Sequence, residues 1–247
     1  MKQKKRRLRI GRIFILCIML TGIWFGGKWL SEQYGLFDSR ITIALDAGHG
    51  GNDPGAEGVI QEIQLTETTV RFLEEYLEQD ENYRVVLCRD YGEGKDLNDR
   101  WKLANFQRAD LLLCIHGNSA EDSSANGFEV YPPPPGREYH EDSLSFAHLL
   151  AGEISKTGIS LRGDAGIRYA YYEDGQKILR DTPDPELESL SSFAMVDYPN
   201  CPAVLIEQCF LTNQSDVSLL GTEEGCRTAA LSYYRAICDY FETQPLF

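Results

Sequence analysis

Three short apolar segments, each followed by a histidine or a glutamate, constrain the fold of this chain more than any other feature of its sequence. The segments ITIAL, LLLCI and AVLI consist of aliphatic residues and end shortly before His49, His116 and Glu207, respectively. Unbroken apolar runs of this length predict strands that are buried on both faces of a sheet. Functional side chains collect beyond the carboxyl ends of such strands. We therefore expect these three polar residues to share one edge of a central sheet.

Amphipathic segments alternate with the predicted strands. Residues 65–78 place Val70, Leu73 and Leu77 at helical spacing, with glutamates on the solvent face. Alternating strands and helices with continuous apolar strands indicate the α/β class. We predict a single three-layer domain, residues 40–247, in which helices flank a mostly parallel or mixed central sheet. The remaining predicted helices are residues 99–109, 143–158 and 228–241, and the remaining predicted strands are residues 84–88 and 128–131.

The first 30 residues have the pattern of a membrane-targeting segment. Seven Lys and Arg side chains precede an apolar run at residues 13–27. The run would be about 22 Å long as a helix, which is short for a hydrocarbon core of roughly 30 Å. By the positive-inside rule, the domain beyond it is extracytoplasmic on a single-pass cell-membrane protein, or secreted if the signal is cleaved. We interpret residues 1–12 as a basic cytoplasmic tail, 13–30 as an uncleaved signal anchor and 31–39 as a linker.

The rest of the chain is strongly acidic. Of its 24 Lys and Arg residues, eight lie in the first 28 positions, whereas all 38 Asp and Glu residues come later. Residues 29–247 therefore hold 16 basic against 38 acidic residues, a formal charge of −22. Such a surface repels a phosphate backbone, so nucleic acid is excluded as a partner.

Four polar residues offer the side chains of a zinc hydrolase. Zinc hydrolysis needs three His or carboxylate ligands, an open position for water, and a separate carboxylate that moves protons. His49, Glu62, His116 and Glu207 supply that set. Their spacing is no general metal signature, so chance clustering stays open as the alternative when the residues alone are considered.

The cysteines leave two further questions open. Export would permit disulfides among them, but no C-x-x-C pair is present and the sequence selects no connectivity. Cys114 or Cys209 together with a histidine would also suit a thiol hydrolase, which is a different enzyme class. The cysteines beyond the apolar run are Cys88, Cys114, Cys201, Cys209, Cys226 and Cys238.

Four segments carry a family resemblance between about residues 41 and 241: DAGHGGNDPGAEG, QEIQLTE, CRDYG continuing to CIHGN, and PAVLIEQCFLTNQSD. In order and register they resemble the motifs of the zinc-dependent N-acetylmuramoyl-L-alanine amidases of the third amidase family, which includes a spore-cortex, germination-specific type. The resemblance implies that His49, Glu62 and His116 bind one Zn²⁺ ion and that Glu207 is the catalytic carboxylate. It implies a peptidoglycan hydrolase that uses zinc-activated water to cleave the amide bond between N-acetylmuramic acid and L-alanine of the stem peptide.

Two classes of function remain open beside this expectation. A non-catalytic or activator-dependent, membrane-tethered wall-binding module would keep the same fold, and a protein activator is compatible with either class. The architecture does not separate a vegetative cell-wall role from a role in sporulation.

Some positions depart from the family pattern or match it without a catalytic role. Cys114 and Cys209 stand where serine and glycine are usual, and strand alternation assigns them to the faces of the histidine and glutamate two residues away. We therefore expect both thiols to line the site. Arg89 and Arg100 match family positions, and we interpret them as residues that hold loops. An insertion near 164–192 is expected at the surface, as a passive loop, a lid or a docking element.

Overall fold

The chain divides into two units, Met1–Ser39 and Arg40–Phe247, and the computed structural model describes residues 18–19, 21–27 and 38–247. Residues 21–27 of the first unit are helical. Within the described residues, no helix combines the length and the apolar character that crossing a membrane requires. The predicted basic tail lies outside the described residues, as do half of the predicted signal anchor and residues 31–37 of the predicted linker.

A five-stranded mixed sheet lies at the centre of the described part of the second unit. Its strands are β1 (Ile41–Ala47), β2 (Tyr83–Leu87), β3 (Leu111–Asn118), β4 (Glu129–Tyr131) and β7 (Ala203–Phe210). They are ordered β2-β1-β3-β7-β4, with parallel pairing throughout except for the antiparallel edge strand β4. A separate antiparallel hairpin contains β5 (Tyr169–Glu173) and β6 (Gln176–Arg180).

Helices cover both faces of the sheet. They are α1 (Glu62–Glu78), α2 (Leu97–Phe106), α3 (His140–Ser155), α4 (Ala194–Asp197), α5 (Gln214–Asp216) and α6 (Glu223–Tyr240), with a π-helical turn at Val217–Gly221. The four long helices match the predicted ones but begin two to five residues earlier. Capping explains two of these starts: Asp96 accepts a hydrogen bond from the N–H of Asn98 before α2, and Thr222 accepts one from the N–H of Gly225 before α6.

Strand alternation divides the core into two layers. Ile43, Leu45 and Leu113 face a cluster that includes apolar side chains of α1, α3 and α6. Ala44 and Leu112 face the opposite cluster, which includes side chains of α2 and α4. The predicted α/β domain, with a mixed sheet flanked by helices, is confirmed.

The segment at residues 164–192 is only partly a surface insertion. Tyr169 and Tyr171 on β5 are buried in the core, so the first strand of the hairpin is an integral part of the domain. The tip and the start of β6, residues 173–177, are exposed. The expectation of a surface insertion is wrong for β5, because aromatic side chains of this strand are buried in the core next to the edge strand β4.

Candidate active site

Parallel strands bring the polar residues that end the apolar segments to one edge of the sheet. β3 pairs in parallel with both β1 and β7, so the carboxyl ends of all three strands lie together. His116 and Glu207 are direct register partners. His49 follows the end of β1 by two residues, with a backbone φ of 64° in the left-handed region. The structure thus places all three residues at the predicted edge.

Glu62 lies between the two histidines. Its Oε1 is 2.8 Å from Nδ1 of His116, and its Oε2 is 3.0 Å from Nε2 of His49. Ligand atoms of these three residues all lie within 4.8 Å of one another, which makes the group able to hold a metal ion. Ligands of one tetrahedral zinc, each at about 2.0–2.2 Å from the ion, are roughly 3.4 Å apart. The observed separations therefore fit one ion after small side-chain movements.

The position of Glu62 follows from the start of α1. It is the first residue of this helix, is 4% exposed, and accepts hydrogen bonds from the N–H groups of Ala56 (2.8 Å) and Gly117 (3.1 Å). Burial by itself raises the pKa of this carboxyl, but hydrogen bonds from His116 and His49 outweigh it and hold the pKa well below the usual range. Glu62 is therefore an ionised buried carboxylate, which needs a positive partner.

Asp53 orients His49 from the solvent side. Its Oδ2 lies 2.8 Å from Nδ1 of His49, and its Oδ1 accepts a hydrogen bond from the N–H of Gly55. A proton on Nδ1 leaves Nε2 free for a metal, as in the carboxylate–histidine pairs of zinc sites. The pKa of His49 is raised to about 9, chiefly by the hydrogen bond to Glu62 and further by Asp53, against the effect of burial. The sequence interpretation missed Asp53. Its position four residues after His49 was the only sign of its role in the sequence.

Two glycines permit the close packing of this site. A Cβ on Gly48 would lie 2.4 Å from Cε1 of His116, which no side chain tolerates. A Cβ on Gly55 would lie 2.6 Å from both Glu62 and His49. Glycine at these positions lets the loop after β1 approach the ligand side chains.

Two arginines hold the loop that carries His49. Arg100 donates to the carbonyl oxygens of Ala47 (3.0 Å) and His49 (2.6 Å) and pairs with buried Asp46. Arg89 donates to the carbonyls of Ala47 and Gly48. These contacts agree with the interpretation of both arginines as residues that hold loops. They also support the positive φ of His49.

Glu207 is the remaining acid of the site. Its Oε2 is fully enclosed and has no hydrogen-bond partner among the residues that the structure describes. The pKa of Glu207 is raised to about 7, chiefly by burial and also by the neighbouring charge of Glu62, whereas the charges of His116 and Lys177 act in the opposite direction. A carboxyl with a pKa near 7 both accepts and donates a proton at neutral pH.

These groups line a cavity of about 490 Å³. Its volume is within the range of small-ligand sites, roughly 300–1,000 Å³. A larger cavity of about 720 Å³ lies between α1 and the start of α6 and contains neither histidine nor Glu207. Chemistry rather than size therefore identifies the site. Beside the four predicted residues, the smaller cavity is lined by Asp53, Lys95, Leu97, Arg100, Lys177, Phe193 and Met195, among others.

Comparison with known proteins identifies the family. A sequence profile of the Amidase_3 family, described as N-acetylmuramoyl-L-alanine amidase, matches residues 43–239. The chain belongs to this family. The match covers every element of the described domain from β1 to α6, including the segments that carry His49, Glu62, His116 and Glu207.

Individual amidases match most of this Amidase_3 chain. The N-acetylmuramoyl-L-alanine amidase AmiC of Neisseria meningitidis is 28% identical over 84% of the chain, which spans only 54% of AmiC. The catalytic domain of CwlV from Bacillus (Paenibacillus) polymyxa superposes with a TM-score of 0.67 at 26% identity, covering 82% of this chain and 99% of that domain. The CwlD amidase of Clostridioides difficile, solved in complex with the GerS lipoprotein, is similar in fold. It superposes with a TM-score of 0.63 at 24% identity, covering 82% of this chain and 99% of CwlD.

The two cysteines that depart from the Amidase_3 pattern do not line the cavity. Between His116 and Asn118 on β3, the partner strand advances from Glu207 to Phe210, so β7 contains one extra residue. This bulge reverses the alternation and turns Cys209 into the core cluster on the face of α1 and α6. Cys114 is buried beneath the site, where its thiol donates to Asp46 (3.1 Å). The expectation that both thiols line the site is wrong.

Burial also argues against thiol chemistry. Burial raises the pKa of Cys114 and of Cys209 well above the usual thiol range, so neither is a thiolate at neutral pH. All six cysteines of the described domain are free and buried. A thiol hydrolase is therefore not supported.

Proposed function

We propose that this chain is a zinc-dependent N-acetylmuramoyl-L-alanine amidase, which cleaves the amide bond between N-acetylmuramic acid and the L-alanine of the peptidoglycan stem peptide. The observation that carries the proposal is the convergence, in one cavity, of three side chains able to bind a metal with a further carboxyl, Glu207. The Oε2 atom of Glu207 has no hydrogen-bond partner among the described residues. Membership of the Amidase_3 family supports the choice of substrate bond.

Three residues would hold one zinc ion: His49 through Nε2, His116 through Nδ1, and Glu62 through its carboxylate. Two imidazoles and one carboxylate are a donor set of catalytic zinc sites, which keep a fourth position open. When bound, zinc supplies a Lewis acid that polarises the amide carbonyl and makes a water molecule easier to deprotonate. Asp53 keeps the tautomer of His49 that this arrangement requires.

Glu207 would perform both proton transfers of the hydrolysis. Its carboxylate, which lines the cavity, accepts a proton from the attacking water. The same carboxyl then donates that proton to the nitrogen of L-alanine, which must be protonated before the peptide leaves. Each water molecule consumed yields one lactyl carboxyl group and one free amino group. The pKa of about 7 suits a residue that serves as base and then as acid.

The cellular setting belongs to the proposal as well. We propose that the domain is held outside the cytoplasm by the N-terminal segment, because seven basic residues precede an apolar run there. The complex of CwlD with GerS supports a protein activator as an additional partner. A non-catalytic wall-binding module is the second outcome that the following experiment distinguishes.

The test is digestion of purified peptidoglycan by the full chain in detergent, with released products identified by mass spectrometry. Stem peptides with a free L-alanine amino terminus are expected, lost with a chelator and restored by zinc. Glu207→Gln should bind zinc normally and lose at least about a hundredfold in rate, since it removes the group that moves the protons. Glu62→Gln should lose zinc, whereas Glu57→Gln, at an exposed position beside it, should change neither property.

A zinc-loaded chain that releases nothing from any wall preparation, while still binding the wall, would reject an independently active amidase in favour of an activator-dependent enzyme or a binding module. Release of glycan fragments instead of stem peptides would reject the assignment of the cleaved bond.

A further inference from the structure

Lys177 projects into the cavity from the hairpin rather than from the central sheet. It lies on β6 opposite Tyr172 of β5, near the exposed tip, and it lines the same cavity as Glu207. Its ammonium lies 5.6 Å from the centre of the Phe193 ring, another lining residue. The hairpin thus contributes a cation, and the segment before α4 contributes an aromatic ring, to a site whose metal-binding residues come from elsewhere.

This lysine acts on the charge of Glu207 across the cavity but forms no close ion pair with any described residue. Among the described residues, Lys177 makes no ion pair within 4.0 Å, although the chain contains 38 acidic side chains. Lys95, from the segment between β2 and α2, also lines the cavity without an ion pair in the described part of the chain. In a strongly acidic protein, two unpaired lysines at one cavity indicate attraction for an anionic ligand group.

The hairpin that presents Lys177 is firmly anchored. Arg168 at its base donates to buried Glu129 (3.1 Å) and to Asp181 just beyond β6 (2.8 Å). The N–H of Tyr172 donates to the carbonyl of Ser191, which ties the strand to the segment before α4. This anchoring keeps the backbone of Lys177 beside the cavity, so that its side chain can reach a bound ligand.

The chemistry of the substrate indicates which anionic group can approach Lys177. In a muramoyl peptide the lactyl carboxyl is consumed in the scissile amide, so free carboxylates near that bond lie on the peptide side. We propose that Lys177 binds a carboxylate of the stem peptide and thereby places the leaving peptide against the hairpin. The inference rests on the proposed amidase function and adds a specificity residue to it.

The test compares two soluble peptidoglycan fragments with intact stem peptides, in which the α-carboxylate of the second stem residue is either free or amidated. For the full chain loaded with zinc, Lys177→Met should raise KM for the free-carboxylate fragment about five- to tenfold and leave kcat within about twofold. KM for the amidated fragment should not change. Lys177→Arg should restore most of the preference, and added salt should reduce it.

The matched control is Lys102→Met. Lys102 lies over the ring of Trp101 at 5.4 Å, much as Lys177 lies over Phe193, but it does not line the cavity. Unchanged kinetics of this variant would show that loss of a lysine over an aromatic ring is not itself the cause.

The outcomes separate the inference from the function on which it rests. If the unmodified chain cleaves neither fragment, the proposed function fails for an independently active amidase. If it cleaves both and Lys177→Met keeps the same preference between them, the inference is overturned while the amidase stands. A fall in kcat on both fragments with a shifted pH profile would also overturn it, because Lys177 would then act through Glu207 instead of on the substrate.

Discussion

Raising the pH from 7 to 9 is expected to tighten zinc binding, because zinc must displace a proton that the metal-free site holds strongly. In the metal-free protein the pKa of His49 is raised from 6.5 to about 9, first by its hydrogen bond to Glu62 and then, after the opposing effect of burial, by Asp53. Nε2 therefore holds its proton at neutral pH. Zinc binds only the deprotonated imidazole, so binding releases that proton.

The size of the effect follows from this pKa. A pH of 7 is about two units below the pKa of His49. Removing the proton at this pH therefore costs about 2.7 kcal/mol, at 1.36 kcal/mol per unit. The apparent zinc affinity should rise about tenfold per pH unit, or about a hundredfold between pH 7 and pH 9, and then level off. At pH 7 about one proton should be released per zinc ion bound.

The assay is a competition titration against a chromophoric chelator of known pH dependence, at constant ionic strength. Calorimetry in two buffers of different ionisation enthalpy counts the released protons. Asp53→Asn should move the levelling-off to lower pH, because it removes one of the two carboxylates that raise the pKa of His49. Asp122→Asn, at a fully exposed turn away from the cavity, is the matched control.

An affinity that is flat from pH 7 to pH 9, or a release below about 0.3 protons per zinc at pH 7, would refute the reasoning. The metal-free protein gives an independent check. The raised pKa of His49 stabilises the fold fully below pH 6.5, and this contribution is lost as the pH rises through about 9. The lowered pKa of Glu62 stabilises above pH 4.5 and is lost on further acidification. Chelator-treated protein should thus have a lower Tm at pH 9 than at pH 6.

Three further predictions concern single positions. Gly48→Ala should lower zinc affinity at least about tenfold in the same titration, because the new Cβ would displace the ring of His116. The control Gly152→Ala, in open space on α3, should keep the zinc affinity and raise the free energy of unfolding by about 0.5–1 kcal/mol. Glu129→Gln should cost about 3 kcal/mol in urea unfolding, since it breaks a buried network with two arginines, and a loss below about 1 kcal/mol would contradict that view. Leu113→Ala, fully buried in the core, should cost about 2–5 kcal/mol without changing the zinc stoichiometry.

Much of the site was predictable because the direction of the strands determines where their last residues lie. A short, unbroken apolar run bounded by turn residues is typical of a buried strand, and the carboxyl ends of parallel strands lie at the same edge. His49, His116 and Glu207 therefore meet wherever the runs before them join one sheet. The order of the strands was not predictable, because each run would fit any interior position.

Three features could not be predicted from the sequence, each for a physical reason. The bulge adds one residue to β7 between Glu207 and Phe210, a stretch of that strand without glycine or proline, and it reverses the face to which Cys209 belongs. Asp53 reaches His49 because the backbone there has a positive φ, which is set by tertiary contacts. Lys177 lies in a hairpin with an exposed second strand, where no periodic pattern distinguishes a lining residue from a solvated one.

The parallel pairing of β1, β3 and β7 also determines when the metal site can exist. His49 and His116 are separated by 67 positions, and Glu207 follows by 91 more. These residues become neighbours only after long loops have closed, and closing such loops is the slow, late part of building a parallel sheet. A growing or partly unfolded chain presents scattered single ligands. Capture of the proposed zinc ion would therefore be an event of the completed domain, and zinc content would mark chains that have finished folding.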